Sequence, residues 1–389
     1  MAELGGEKHT PLMIRAHDSP SSAHAVGGPP VRKRWEAGFA LPAVLLLIAI
    51  LTVLLTTGHA RVASDVGIAS AGDAIAAASV VARSGLQTYF GTLTLDACEF
   101  PVRPADGDSV RINVTGGYAD AVARVVRRPA DSLANWLFLV RSTGYFISPA
   151  DGSTPLASRT VAQFAEWQSG QLGLPAAFMA ANGLFRIAGG TGQFHGADEH
   201  PTAGCPQPDR SQLSVESGIP SLTDYDLTGL APQSNGSGAL MVTNAGIDWA
   251  AVLTPGRITP DFTAPQTANM NYPVQLVTGN ATLGSAGATI TSSGLLVVSG
   301  DLTVLGSLVQ WYGVVLVGGR IHFDAADQRF DGFVASGLNK QLGMNPSSGG
   351  FGGDYTDIDF NSLYVARAMR PLTGFAPVEN AYVEFWKTY

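Results

Sequence analysis

Nineteen consecutive residues without a charge, Phe39 to Thr57 (FALPAVLLLIAILTVLLTT), constrain this chain more than any other feature. As a helix at about 1.5 Å per residue the run reaches about 28 Å, close to the thickness of a bilayer's hydrocarbon core. A helix on the core of a soluble protein keeps a polar face, and over about five turns this one has none. A cleaved secretory signal is the other reading, with the small residues of Gly58-His59-Ala60 before the cut. The apolar part of such a signal normally stops at roughly 7–15 residues. The run is therefore expected to stay on the protein as a transmembrane helix. Arg32, Lys33 and Arg34 precede it and are expected on the cytoplasmic side, which sends the rest of the chain across the membrane.

Composition agrees with export. Only 14% of the 389 residues are charged, and 46 are glycine. The surface must then be covered by Ser, Thr, Asn, Gln and Gly, a palette suited to β-structure with many tight turns. Lys and Arg number 23 against 31 Asp and Glu, a net charge of -8, which argues against a nucleic-acid partner. The two cysteines, Cys98 and Cys205, are expected to form one disulfide outside the cytoplasm, closing a loop of about a hundred residues. Two buried thiols are the alternative.

The junction Gly38-Phe39-Ala40-Leu41-Pro42-Ala43, behind a basic stretch, resembles the signal of type IV pilin-like proteins. The resemblance implies that a prepilin peptidase cuts between Gly38 and Phe39 on the cytoplasmic side, that Phe39 is then N-methylated, and that the hydrophobic helix remains. Most pilins carry glutamate at the fifth mature position, where this chain has Ala43. Its absence argues against a major pilin, because that carboxylate is a docking device that is costly in lipid unless paired. With alanine there, the segment is most similar to PilX-type minor pilins; the K-type minor pseudopilin of type II secretion tolerates the same loss. The leader of 38 residues is long for the family, and translation from Met13 would shorten it.

The helix is expected to run on from His59 to Phe90, with Val62, Val66, Ala69, Ala76 and Val80 along one face and Gly58, Gly67, Gly72 and Gly85 weakening it. A flexible stalk is the alternative. Beyond it, Val110–Val114, Ala121–Arg128, Trp136–Ile147 and Arg159–Glu166 read as strands of an antiparallel meander, separated by turns rich in Gly, Pro and Asp. The segments LFLVRSTGYF and ASRTVAQF resemble strands common in pilin-like head domains. From 170 to 270 no period persists, and loops with short strands are expected.

Two polar stretches raise the question of metal. His195, Asp198, Glu199, His200 and Cys205 lie in HGADEHPTAGC, without the i, i+4 pair of a helical zinc motif. Asp354, Asp357 and Asp359 lie in GGFGGDYTDIDF, without EF-hand spacing. Taken separately, each reads as a solvated loop, and no metal is expected at either.

Near the C-terminus the chain repeats. Gly294, Gly313 and Gly332 recur at a constant interval, and laying the segments over one another puts Leu296 on Val315 and Val334, Leu302 on Ile321, Val304 on Phe323 and Trp311 on Phe330. A degenerate earlier copy, Gln275–Leu283, fits if its turn is slightly longer. Period-two alternation makes these strands, and stacked equivalents would build a ladder of buried side chains. A short β-solenoid is expected, capped by the long helix and by the segment around Tyr382 to Trp386; two hairpins in a sandwich are the alternative. PilX-like proteins carry a similar rung pattern near their C-termini.

The expected fold class is α+β: a long N-terminal hydrophobic α-helix, an antiparallel β-rich domain and a short β-solenoid-like repeat. The expected organisation is 1–38 disordered basic leader, 39–57 transmembrane helix, 58–92 helical continuation or stalk, 93–270 β-rich pilin-like extracytoplasmic domain, 271–345 β-solenoid-like repeats and 346–389 C-terminal cap. The chain holds no G-x-S-x-G, P-loop, H-E-x-x-H or CxxC motif. Asp324 and Asp327, on one rung edge, read as solvated turn residues and not as a glycosidase pair. A structural protein without catalytic residues or cofactor is expected, with the inner membrane, other pilins, pilus-assembly proteins and the prepilin peptidase as partners. A membrane-anchored β-solenoid adhesin outside any pilus is the second reading; a secreted carbohydrate-active enzyme is the third.

Overall fold

The computed structural model describes residues 40–384, apart from 130–134, 149–151, 153, 171, 188–189, 201, 203, 206 and 352–353. Gly38, Phe39 and the leader lie outside the described residues, as does Trp386. The chain divides after Gly67 into two units.

Helix α1 runs from Ala40 to Gly91, 52 residues. Leu and Ala favour it, and Pro42 falls in the first turn, where no N–H is needed. In the first unit its apolar side chains are exposed on every side; Leu45, Ile48, Leu51 and Leu55 all are. The helix is long and apolar enough to cross a membrane. The threonine hydroxyls of the apolar run, Thr52, Thr56 and Thr57, are satisfied within the helix. Thr52 donates to the Ile48 carbonyl at 2.7 Å and Thr57 to the Val53 carbonyl at 2.8 Å, so neither needs water.

In the second unit α1 buries Ala74, Ala78, Val81, Ala82, Leu86 and Tyr89, a stripe at helical spacing. This is not the expected face: Val62, Val66 and Val80 are each about 60% exposed, and Ala69 and Ala76 are exposed too. Closeness of approach chose the face. A Cβ on Gly85 would lie 2.2 Å from the Ala119 Cβ, and one on Gly144 would lie 2.3 Å from the Ala82 nitrogen. Only small residues fit such a seam.

The sheet beneath α1 contains the four expected strands, β1 (Ser109–Val114), β2 (Gly117–Arg127), β3 (Trp136–Ile147) and β4 (Pro155–Gln168). They pair as an antiparallel meander. Alternation turns Ala121, Ala123, Phe138, Val140, Val161 and Trp167 toward Ala82, Leu86 and Tyr89 of α1.

Between 170 and 270 loops with short strands are expected; short strands are found, and the antiparallel pairing of the meander does not extend to them. Beyond Gln168 come β5 (Ala176–Ala180), β6 (Leu184–Arg186), β7 (Thr191–His195), β8 (Ser211–Val215), β9 (Tyr225–Thr228) and β10 (Gln233–Ser234). All pair in parallel with their neighbours. Loops of unequal length between them erase any period, so no repeat is visible in the residues. Two short helices follow, α2 (Gly238–Asn244) and α3 (Trp249–Leu253), capped by Ser237 and Asp248.

The repeat then begins with β11 (Val274–Val277), β12 (Ala281–Gly284), β13 (Thr289–Val298), β14 (Leu302–Leu305), β15 (Leu308–Val317), β16 (Ile321–Phe323) and β17 (Asp327–Ser336). These strands too are parallel, in the register read from the sequence: Gly294 faces Gly313, Gly313 faces Gly332, and Trp311 faces Phe330. The three glycines bend the long strands midway at φ of 110°, 138° and 141°. A Cβ on Gly332 would lie 2.0 Å from the Gly313 carbonyl oxygen, so this column admits nothing larger. The earlier copy registers without a gap, from Gln275 against Leu296 to Leu283 against Val304. Its extra residues lie in the next corner, between β12 and β13, and not in the turn where the sequence reading put them.

Two more strands, β18 (Gly349–Phe351) and β19 (Tyr355–Asp359), continue the parallel sheets where a cap was expected. The segments 176–234 and 274–359 meet end to end. The first half of β17 pairs with β19 and its second half with β5, while β19 pairs with β7. Helix α4 (Ser362–Met369) packs over β13, β15 and β17. The last strand, β20 (Gly374–Glu384), returns to pair with β4. Tyr382 lies opposite Gln163 in that pairing, so it and α1 belong to the antiparallel layer and do not cap the parallel sheets.

Candidate functional site

The loop before β1 fastens this layer to α4. Asp96 Oδ1 accepts from the N–H groups of Cys98 and Phe100, both at 2.9 Å. The turn brings Cys98 to Cys205, with the sulfurs bonded and the Cα atoms 5.5 Å apart. Glu99, at a left-handed φ of 64°, accepts from Arg367 at 2.8 Å and from Arg370 at 2.6 Å. The hydrogen bonds from Arg367 and Arg370 pull the Glu99 carboxyl down to about 2. A depressed carboxyl adds stability above its unfolded pKa of about 4.3 and loses it as pH falls through the folded value. The Glu99 side chain is 40% exposed, so the contribution is at most about 1 kcal/mol. Glu99→Gln is expected to lower the melting temperature at pH 7 by a few degrees and to make no difference near pH 2; thermal melts at the two pH values check it.

Among the described residues, a dense concentration of charge lies on the outer side of the parallel sheets. Phe330, Ile358 and Phe194 are buried in the core. Their neighbours Asp331, Asp359 and His195 stand on the opposite side, in one cross-strand row. Arg329, Asp357 and Gln193 form the adjacent row. The turn after β7 swings Glu199 over them. That turn is held down where Asp198 accepts from the Ser362 N–H at 2.8 Å and from its hydroxyl at 2.6 Å, and where the Glu199 N–H donates to the Phe360 carbonyl at 3.0 Å.

The carboxylates are almost sealed: Asp331, Asp357 and Asp359 are 4%, 5% and 2% exposed. Arg329 donates to Asp331 at 2.9 Å and lies 3.2 Å from Asp359 Oδ2. One guanidinium cannot neutralise four acids. Burial, and then the charges of Asp357 and Glu199, push Asp359 up to about 9, and burial also raises Asp357 and Asp331. Burial opposes the Arg329 charge, but Asp331, Asp359 and Asp357 outweigh it and raise its pKa. Asp357 and Asp359 can hydrogen-bond to each other only by sharing a proton. Within this cluster, Asp357 Oδ1, Asp359 Oδ1 and His195 Nε2 are buried without a hydrogen-bond partner.

The two stretches that read as separate solvated loops thus converge, His195 and Glu199 from one, Asp357 and Asp359 from the other. Their remaining members do not join. Asp198 serves Ser362, the His200 ring lies 3.4 Å from the Cys98 carbonyl, and Cys205 is in the disulfide. Sequence reasoning missed Arg329 and Asp331. The signal was present: they stand in register with Gln310 and Tyr312 of the previous copy, so two charges replace uncharged residues on one rung.

No known protein family matches the chain, and no curated protein does. Among solved structures, the crystal structure of competence-associated pilin ComZ from Thermus thermophilus is similar at 12% identity, over 79% of this chain and 97% of that one, with a TM-score of 0.23. A superposition so loose carries no argument about fold or role.

Proposed function

We propose that this chain is a membrane-anchored, non-enzymatic structural subunit of the pilin type, a PilX-like minor pilin taking part in type IV pilus assembly or priming. One observation carries the reading: α1 is a single helix whose first part is apolar and exposed on every side, and whose second part lies on an antiparallel sheet along a seam of small residues. An apolar surface of that extent needs lipid or other apolar helices around it. Before assembly 39–57 would sit in the bacterial inner membrane, with the β-structure on the periplasmic side. After assembly the same surface would pack among the helices of other pilins. The Cys98–Cys205 bond suits that oxidising compartment. The stacked strands from 274 onward are read as a short β-solenoid, extended by 176–234 from the other end. That long parallel surface also favours the second reading, an anchored adhesin never incorporated in a pilus.

The prepilin junction at Gly38 and Phe39 separates the readings. Sequencing of the mature chain is expected to find N-methylated Phe39. An intact Met1 or Met13 would favour the adhesin, and a start at Arg61 would favour secretion. Gly38→Ala is expected to accumulate as an unprocessed precursor in the membrane fraction, and a variant shortened as normal would remove the peptidase from the account.

A further inference from the structure

We propose that His195, Glu199 and Asp359 bind a divalent metal ion of the zinc class, and that this ion joins the two segments of chain stacked end to end in the parallel sheets. The inference does not depend on the pilin reading.

Donor geometry carries it. His195 Nδ1 lies 3.0 Å from Asp359 Oδ1 and 3.4 Å from Glu199 Oε1, and the three donors fall within 4.8 Å of one another. Zinc bound tetrahedrally at about 2.0–2.1 Å has its ligand atoms about 3.3 Å apart, so the two donor pairs that include His195 already span edges of such a site. The other oxygens of the two carboxylates face elsewhere: Asp359 Oδ2 is 3.2 Å and Glu199 Oε2 3.8 Å from Arg329 Nη2. Arg329 therefore backs the site without filling it.

Asp359 is almost fully buried, at 2% exposed, and its Oδ1 points among these donors with no hydrogen bond. A buried carboxylate oxygen without a donor is costly, and a cation is the partner that relieves it. The mixture of one imidazole with carboxylates suits zinc; calcium and magnesium prefer all-oxygen shells. With Nδ1 on the metal, Nε2–H would face Asp226, whose Oδ2 is 3.9 Å away, an outer carboxylate of the kind that orients metal-bound histidines. Glu199 and Asp226 are exposed enough to leave a route in.

The placement supplies a purpose. His195 ends β7, in the segment before α2, and Asp359 ends β19, in the repeat. These strands are paired but lie far apart along the chain, so an ion between them would oppose their separation.

The test uses the full chain in detergent, stripped with chelator. Zinc titration by calorimetry and cobalt(II) absorption in the visible are compared for the parent, His195→Ala and Glu199→Gln. Glu199 is on the exposed side, so Glu199→Gln should fold and melt like the metal-free parent. His9, His17 and His24 in the leader are decoys for zinc, which makes the difference between parent and variants the reading. The parent is expected to bind one more ion than His195→Ala, to melt higher with zinc, and to show cobalt bands that His195→Ala lacks; Glu199→Gln should weaken binding by more than about tenfold. Identical binding by parent and variants would overturn the proposal and leave a cluster held by Arg329 and a shared proton. Equal affinity for calcium would overturn the assignment to zinc.

Discussion

Gly144→Val is expected to destabilise the second unit by about 3 kcal/mol, near the upper end for overpacking. A Cβ at 144 would lie 2.3 Å from the Ala82 nitrogen and 2.5 Å from the Ala78 carbonyl oxygen. Both are backbone atoms of α1, so no side chain can rotate to make room. The helix must lift from the sheet, which exposes Leu86, Tyr89 and Phe138. Gly72→Ala is the paired control. Nothing lies within 4 Å of its added Cβ, and an exposed helical position should gain up to about 1 kcal/mol. Denaturant unfolding of the full chain in detergent, followed by near-ultraviolet circular dichroism, reads both. A Gly144→Val chain that unfolds with the parent would mean the seam does not bear on stability.

Phe330→Ala is expected to cost roughly 4 kcal/mol, the range for emptying a buried aromatic site. Phe330 is 1% exposed, its ring centroid is 5.5 Å from that of Phe323, and it lies between Trp311 and Ile358 in the ladder. The rungs on either side cannot move together to fill the space, because the backbone hydrogen bonds of the sheet hold their spacing. Leu240→Ala, at a side chain 55% exposed, should change stability by no more than about 0.5 kcal/mol. Thermal unfolding of the two variants makes the comparison, and equal melting temperatures would place Phe330 outside the cooperative core.

Much of the architecture was legible because it rests on local or strictly periodic patterns. The helix followed from an unbroken apolar run. The meander followed from alternation between turn residues, and the parallel register of β13, β15 and β17 from glycines at a constant interval. The buried face of the helix was not legible. Valines at helical spacing suggested one face, but the sheet approaches so closely at Gly85 and Gly144 that alanines occupy the contact. The strands from 176 to 234 were hidden for a different reason: each is short, the loops between them vary, and β5, β6 and β7 also pair with strands more than a hundred residues away.

The residues by themselves determined the long apolar helix, the four-strand meander and the repeat, because each depends on neighbours in sequence or on a fixed period. Only the tertiary structure decided that His195 and Glu199 meet Asp357 and Asp359, since that contact depends on two distant segments stacking in one register. Charges spaced for solvent in each loop become a buried cluster once β7 lies beside β19, and no property of either loop alone requires it.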